Sequence, residues 1–201
     1  MNDINCWEIK FKTCVYSNRL LNKLSALNEK AKDKIDLIKV KKSIYYAKKY
    51  HGSQLRQSGE PYYSHPLKVA YMISDYDYGF KNDILVTSIL HDTIEDTKLT
   101  KETINIIFDQ VIANNVELLT RIKINNKISS AEVIKLLYKQ KNKDLLFIKI
   151  FDRLHNIQTI AIKSFEDKKR IIEETIAEFI ILSLYLEDHT MAEKIRFLCL
   201  P

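Results

Sequence analysis

Histidines and carboxylates stand close together in the middle of this chain, in residue types that suit metal chemistry. His91 and Asp92 are followed, after two residues, by Glu95 and Asp96. On a continuous helix His91 would lie near Glu95 and Asp92 near Asp96, since side chains four residues apart share a face. So much negative charge beside an apolar stretch is unfavourable unless strong donors or a cation compensate it, and a divalent metal does so most directly. The pattern therefore indicates a candidate metal site.

A second group of polar residues follows further along the chain. Asp152, Asn156 and Thr159 are spaced so that they share one face of a helix whose other residues are largely apolar. A polar stripe of this kind is found in functional sites. A buried hydrogen-bond network and a solvated face give the same spacing, so the stripe by itself leaves these interpretations open.

Composition favours a helical protein. The chain has 201 residues, 46% of them apolar, which is enough for one sizeable core, and only three glycines and three prolines. Those counts leave few of the turns that a many-stranded sandwich or barrel needs, so an all-β fold is nearly excluded. The formal net charge of +6 suggests an anionic partner, and nucleic acid, a membrane surface and a phosphorylated small molecule all fit it.

Cysteine usage and hydropathy indicate a cytoplasmic protein. Cys6, Cys14 and Cys199 form an odd and scattered set, as expected of reduced thiols. The amino terminus carries charges where a signal peptide would place its apolar core. The longest apolar run, around Phe179 to Leu186, is too short to cross a bilayer, so no membrane partner is expected.

Helical periodicity indicates the elements that must position these residues. We predict two helices from about Ser17 to His51 and an irregular stretch after them, with all three glycines between Gly52 and Gly79. A helix starts near Pro66, and an apolar helix from about Asn82 reaches HDTIED at its carboxyl end. The remaining predicted helices are Thr100 to Lys123, Ser129 to Lys141, Asp144 to Ile162 and Asp167 to Leu186. Without a repeat or a linker, residues 1–201 are predicted to form one all-α domain.

Three motifs together resemble the hydrolase domain of the RelA/SpoT family of alarmone enzymes, a group of HD-type metal hydrolases. They are HGSQLRQSGEPYYSHPLKVA at 51–70, LHDTIEDT at 90–97 and IKIFDRLHNIQT at 148–159. The motifs occur in the family's order, and the resemblance covers most of residues 40–186. It implies a single-domain HD-superfamily helical bundle that hydrolyses guanosine tetra- or pentaphosphate to GDP or GTP and pyrophosphate, which ends the stringent response.

The resemblance also implies a role for each motif residue. In the family, two histidines and two aspartates bind one manganese ion, and the matching residues here are His65, His91, Asp92 and Asp152. Imidazole and carboxylate ligands suit Mn²⁺ and leave coordination positions open. Glu95 and Asp96 match a catalytic pair, with the acid and base roles undivided. Further residues match positions that contact the nucleotide: Arg56, Tyr62, Asn156 and Thr159.

Some positions depart from the family pattern, and others match it with a structural or an undivided role. Gln57 stands where many relatives place a second basic residue, so phosphate or base contacts are expected to be weaker. Arg153 is expected either to contact phosphate or to brace its helix, and His51 and His155 are expected to support the fold. Since the chain ends at Pro201, the family's synthetase and regulatory domains are not expected.

Three other functions fit parts of the sequence. A related HD phosphohydrolase would act on another nucleotide, such as a nicotinamide dinucleotide phosphate or a deoxynucleotide. A catalytically silent alarmone-binding module would keep the fold, although intact Glu95 and Asp96 weigh against it. A nucleic-acid-binding protein would need clustered basic residues, whereas the lysines here are dispersed along helix faces, so no nucleic-acid partner is expected. The oligomeric state is left open.

Overall fold

The chain folds into a bundle of helices. The structure, a computed structural model, describes residues 6–76, 82–120, 122–123 and 126–200, with side chains described outside 122–127. The helices are α1 (Trp7–Lys10), α2 (Val15–Lys30), α3 (Leu37–His51), α4 (Ser64–Ile73), α5 (Asn82–Leu90), α6 (Thr93–Asp96), α7 (Lys101–Ile107), α8 (Gln110–Leu119), α9 (Ser130–Lys139), α10 (Lys143–Gln158), α11 (Phe165–Glu174), α12 (Ile180–Tyr185) and α13 (His189–Cys199). Two short strands, β1 (Ile122–Lys123) and β2 (Asn126–Lys127), pair antiparallel between α8 and α9. The prediction of an all-α fold is confirmed.

Several predicted helices are interrupted. The stretch from Thr100 to Lys123 is not one helix. α7 ends at Ile107, and Asp109 caps the start of α8 by accepting a hydrogen bond from the backbone of Ile112 at 2.9 Å. A wider turn of the π type, Thr175–Phe179, separates α11 from α12 within the predicted helix Asp167 to Leu186. Among the described helices, none is long and apolar enough to cross a membrane.

An ordered loop joins α3 to α4. Gly52 ends α3 with a φ of +53°, a value that glycine adopts without strain. The loop then folds back on itself through a bridge between Leu55 and Pro61, and Gly59 turns the chain with a φ of +79°. The third glycine, Gly79, lies outside the described residues. This folded loop fixes where α4 begins, so that residues of the loop and of α4 can face the same site.

The HDTIED motif forms a corner instead of a continuous helix. α5 ends at Leu90 and α6 begins at Thr93, so the side-chain pairing expected across one unbroken helix does not apply to His91. The His91 Nδ1 atom donates to the Ser88 carbonyl at 2.7 Å, and the Thr93 hydroxyl donates to the Leu90 carbonyl at 2.6 Å. These side chains thus donate to carbonyls that would accept from backbone N–H groups in a longer helix. The His91 side chain is buried at this corner.

Buried apolar residues form two clusters that meet at α4. One is built mainly by α2, α3, α5, α7 and α8, and the other by α9, α10, α12 and α13. Leu67 of α4 belongs to the first cluster and Val69 to the second. α10 is buried on most of its faces. Because close packing fixes such a helix, the polar side chain of Asp152 is held at a defined position between the two clusters.

Candidate active site

The four predicted metal ligands converge from three parts of the fold. His65 lies in α4, His91 and Asp92 lie at the corner after α5, and Asp152 lies in α10. The Nε2 atom of His65 is 3.2 Å from Asp152 Oδ1 and 3.5 Å from Asp92 Oδ2. The Nε2 atom of His91 is 3.0 Å from Asp92 Oδ1. One ligand atom from each of His65, His91 and Asp152 lies within 4.8 Å of the others, which is close enough for a single ion.

Both histidine rings are oriented as in metal centres. Nδ1 of His91 donates to the Ser88 carbonyl at 2.7 Å, and Nδ1 of His65 lies 2.8 Å from Nδ1 of His155. In each ring Nδ1 is engaged and Nε2 faces the other candidate ligands. In metal centres, hydrogen bonds to the second ring nitrogen orient the ligating histidines in the same way. Nε2 of His91 is buried and forms no well-aligned hydrogen bond within the described part of the chain, and its contacts with Asp92 Oδ1 at 3.0 Å and Asp152 Oδ1 at 3.9 Å are those of an ion pair. The donor set fits a divalent cation that takes nitrogen and carboxylate ligands.

The ionisable groups of this cluster influence one another strongly. Burial opposes the protonation of His91, but Asp92 and Asp152 raise its pKa to about 9. Burial would raise the pKa of Asp92, whereas the adjacent His91 holds it well below its usual range. Burial would raise the pKa of Asp152 as well, but Lys149, His65 and His91 together hold it well below its usual range. Without a bound metal, the ionised carboxylates thus depend on protonated His91 and on Lys149 for compensating charge.

Asp152 is held by two neighbours on its own helix. The Lys149 ammonium donates to Oδ2 of Asp152 at 3.1 Å, and the Asn156 amide donates to Oδ1 at 2.8 Å. Only 7% of the Lys149 side chain and 15% of the Asp152 side chain are exposed, so this ion pair is largely removed from water. These contacts fix the carboxylate with Oδ1 towards His65.

The predicted catalytic pair lies beside the cluster. The backbone N–H of Asp96 donates to the Asp92 carbonyl at 2.9 Å, so Asp96 is one turn away from a candidate ligand, as expected. The Tyr62 hydroxyl donates to Asp96 Oδ2 at 2.6 Å. Burial raises the pKa of Asp96, and nearby Asp92 and Glu95 add to the shift, while the hydrogen bond from Tyr62 opposes it. A raised pKa makes Asp96 a better proton acceptor near neutral pH.

The residues predicted to contact a nucleotide border the same cavity. Arg56 Nη2 donates to Asn156 Oδ1 at 3.3 Å, which connects the loop with α10. The guanidinium carbon of Arg56 lies 6.0 Å from the centre of the Tyr62 ring, at the limit of a cation–π contact. Thr159 follows the last residue of α10, and its hydroxyl donates to the His155 carbonyl at 3.0 Å. The structure therefore brings all ten predicted site residues to one region.

The cavity has a volume of about 410 Å³, which lies in the range of small-molecule sites. Charged side chains of both signs line it. Five are acidic: Asp92, Glu95, Asp96, Asp152 and Glu174. Five are basic: Arg56, Lys149, Arg153, Lys163 and Arg170. Because carboxylates suit a cation and guanidinium or ammonium groups suit phosphate oxygens, the cavity fits a metal together with a phosphorylated ligand.

The motifs give no role to four of these charged residues. They are Lys149, Lys163, Arg170 and Glu174. A lysine within the apolar run of α10 is a signal that could have identified Lys149. The other three lie on α11 or just before it, where charged residues are common, and only the tertiary fold brings them to the cavity.

Two further motif residues have defined partners. Arg153 lies 3.0 Å from Glu174 and its guanidinium carbon is 4.5 Å from the centre of the Phe179 ring, so its contacts support a bracing role. Burial, and then the nearby His65, lower the pKa of His155 to about 3. A neutral His155 ring is able to accept a hydrogen bond from Nδ1 of His65, which lies 2.8 Å from its own Nδ1. His155 therefore supports a candidate metal ligand as well as the fold.

Comparison with known proteins gives one family and several relatives. A family described as HD domain matches residues 43–182. The GTP pyrophosphokinase rsh of Brucella ovis is 38% identical over 141 residues, which cover 67% of this chain and 18% of that protein. A guanosine-3′,5′-bis(diphosphate) 3′-pyrophosphohydrolase of Aquifex aeolicus is 36% identical over 140 residues, covering 68% and 20%. The protein of the same name from Spiroplasma citri is 34% identical over 151 residues, covering 72% and 20%.

One solved structure is also similar, with a TM-score of 0.57 and 19% sequence identity, over 80% of this chain and 85% of that one. It is described as "A metazoan ortholog of SpoT hydrolyzes ppGpp and plays a role in starvation responses". At this identity the likeness shows the fold alone. The chain spans about one fifth of the length of the curated relatives described above.

These relatives confirm the resemblance to RelA/SpoT enzymes that the three motifs indicate. The family match includes the histidines, the aspartates and the acidic pair whose convergence the structure shows. On this match over most of its length, the chain belongs to the HD-domain family.

Proposed function

We propose that this protein is an Mn²⁺-dependent hydrolase that removes the 3′-pyrophosphate of guanosine tetra- or pentaphosphate and leaves GDP or GTP. The observation that carries the proposal is the convergence of two histidines and two aspartates beside a cavity lined by acidic and basic side chains. Relatives named as hydrolases of this nucleotide, similar over about two thirds of the chain, support it.

His65, His91, Asp92 and Asp152 are the proposed metal ligands. A divalent ion bound there would polarise phosphate oxygens and activate water. The two rings would bind through Nε2, since their Nδ1 atoms are engaged by His155 and by the Ser88 carbonyl. Asp152 would use Oδ1, because Oδ2 is paired with Lys149. Mn²⁺ accepts such a mixed nitrogen and oxygen set.

Glu95 and Asp96 are proposed to move protons. In the reaction, water adds its oxygen to the phosphorus, the bond from that phosphorus to the 3′ oxygen breaks, and a proton ends on the 3′ oxygen. The raised pKa of Asp96, caused first by burial, suits a carboxyl group that accepts a proton from water and returns it. Both side chains line the cavity, which supports their role beside a bound phosphate.

The nucleotide is proposed to lie along the loop and α10. Arg56 offers a flat, permanently charged group for the base and its phosphates, and Asn156 and Thr159 offer polar contacts beside it. Lys163 and Arg170 provide further positive charge in the same cavity for a substrate with two diphosphates. The presence of cations on several elements fits a polyphosphate better than an uncharged ligand.

We also propose a cytoplasmic location and a single domain. Cys6, Cys14 and Cys199 are all free, which fits a reducing compartment. The meeting of both apolar clusters at α4 supports one domain over residues 1–201.

The test is direct. Purified protein is incubated with guanosine tetraphosphate and Mn²⁺, and GDP and pyrophosphate are quantified. NADPH and a deoxynucleoside triphosphate are run in parallel. Turnover of one of these instead of the alarmone would contradict the proposed substrate. The proposal that the protein is a metal-dependent phosphohydrolase would still hold.

Two variants make the test specific. Asp92→Ala should reduce turnover by more than about 100-fold, because loss of a ligand lowers the affinity of the site for the metal ion and removes a charge near the phosphate. Asp83→Ala serves as the control, since Asp83 pairs with Lys39 outside the cavity, and it should retain wild-type activity. Equal turnover in the wild type and Asp92→Ala would refute the proposed metal site.

A further inference from the structure

Asp96 is held at two points by the loop that joins α3 to α4. The Tyr62 hydroxyl donates to Oδ2 of its carboxylate at 2.6 Å. The Gln54 amide donates to its backbone carbonyl at 2.8 Å. The loop and the acidic motif are distant in sequence, so these two contacts fix α6 against a separate segment of the chain. Hydrogen bonds to a charged acceptor are short and directional, which suits the positioning of a carboxylate.

His51 holds both of these contacts in place. Its ring stacks on Tyr62, with ring centres 4.7 Å apart and planes 21° apart. Its Nδ1 atom lies 2.8 Å from Gln54 Oε1, and because the Gln54 amide nitrogen already donates to Asp96, the oxygen accepts from His51. Only 1% of His51 is exposed. A buried ring at the last residue of α3 thus supports both partners of Asp96.

We propose that Tyr62 and His51 are positioning residues for Asp96: Tyr62 aims the carboxylate through its hydroxyl, and His51 holds Tyr62 by stacking and Gln54 by a hydrogen bond. This inference rests on the proposed hydrolase function. It assigns Tyr62 an action through Asp96, whereas the resemblance implies a nucleotide contact. It also gives His51 a role in the chemistry beyond support of the fold.

The geometry favours this role over a substrate contact. The Tyr62 hydroxyl is already engaged at 2.6 Å by Asp96, and one ring face is covered by His51. A hydroxyl committed to a carboxylate has no second proton to donate to a phosphate oxygen. Loss of the hydroxyl should therefore act on the turnover rate and leave substrate binding largely unchanged.

The experiment compares Tyr62→Phe with Tyr16→Phe. Tyr16 is also half-buried and donates its hydroxyl to a carboxylate, Glu60, at 3.0 Å, but it lies outside the cavity. We expect Tyr62→Phe to lower kcat about 10- to 100-fold with KM changed by less than about threefold, since it removes one hydrogen bond to a charged group. Tyr16→Phe should retain wild-type kcat and KM. Thermal unfolding of both variants checks that they fold.

A double-mutant cycle separates positioning from a general structural effect. In an Asp96→Asn background, Tyr62→Phe should cause no further loss beyond about twofold, because the group on which it acts has been changed. Independent, multiplicative losses would overturn the proposal, as would a rise in KM without a change in kcat. His51→Phe, which keeps a ring over Tyr62 but loses the bond to Gln54, should lower kcat less than Tyr62→Phe does.

Crystal structures of the wild type and Tyr62→Phe provide a readout that needs no turnover. The Asp96 carboxylate should rotate or become less ordered in the variant, and an unchanged, well-ordered carboxylate would overturn the proposal. A wild type that does not hydrolyse the alarmone would refute the proposed function, while this comparison would still decide the positioning role.

Discussion

Replacement of Lys149 by methionine should destabilise the metal-free protein far more than the protein saturated with Mn²⁺. The ammonium lies 3.1 Å from Asp152 Oδ2, and the two side chains are 7% and 15% exposed. Removal of one partner of a buried ion pair costs about 3–5 kcal/mol, because the other charge stays buried without compensation. Asp152 keeps Asn156 at 2.8 Å and His65 at 3.2 Å, so we expect a value near the lower end, about 3 kcal/mol.

A bound cation would compensate the same carboxylate, so the cost with Mn²⁺ should fall to about 1 kcal/mol. Urea unfolding of the wild type and the variant, with a chelator and with saturating Mn²⁺, measures both values. Lys169→Met is the matched control, because Lys169 pairs with Glu173 at 4.0 Å and both side chains are 66% exposed. Its cost should stay below about 0.5 kcal/mol. A metal-free cost below about 1 kcal/mol for Lys149→Met, or one that Mn²⁺ leaves unchanged, would refute the reasoning.

Three further outcomes are expected. Since the pKa of His91 is raised to about 9, its ring must lose a proton to bind a cation, so Mn²⁺ affinity should rise about tenfold per pH unit from pH 7 to 9 in anaerobic calorimetry. A flat profile would contradict this. Arg56→Lys should raise KM about tenfold with little change in kcat, because lysine lacks the planar fork, whereas Arg19→Lys, altering a cation–π contact outside the cavity, should change neither. In urea unfolding, Leu146→Ala should lower the free energy of unfolding by about 2–5 kcal/mol, because the side chain is fully buried. Leu184→Ala should lower it by less than about 1 kcal/mol, because Leu184 is 46% exposed.

The sequence picks out the candidate site residues, but not the contacts that they make. The motifs name His65 and Asp152, and α4 and α10 do bring them together. No pattern in the sequence shows that Tyr62 donates to Asp96, because that contact depends on how the loop folds over α6. Lys149 could have been identified in principle, as a charge inside an apolar run with Asp152 three residues later on the same helix. The burial of this pair could not, because it depends on how α10 packs in the fold.

Helical periodicity predicts most of the fold and misses its breaks. The helix predicted from Asp144 to Ile162 is present as α10, since burial on most faces gives a strong signal, but it ends at Gln158 and a separate 3-10 turn forms at Ile160–Ile162. Asp109 fits a polar position of a continuous helix equally well, so the division between α7 and α8 is visible only through its capping hydrogen bond. The corner at His91 arises in the same way, from side chains that take over backbone carbonyls.

Because the two apolar clusters meet at α4, the proposed metal centre would also affect how the protein unfolds. His91 follows a helix of the first cluster, and Asp152 belongs to a helix of the second. An ion shared by them would link the two halves of the core, and its binding free energy would be lost whenever either half opened. Metal occupancy would therefore set how cooperatively the halves unfold: with a chelator they would be free to open separately, and with the ion they would open together.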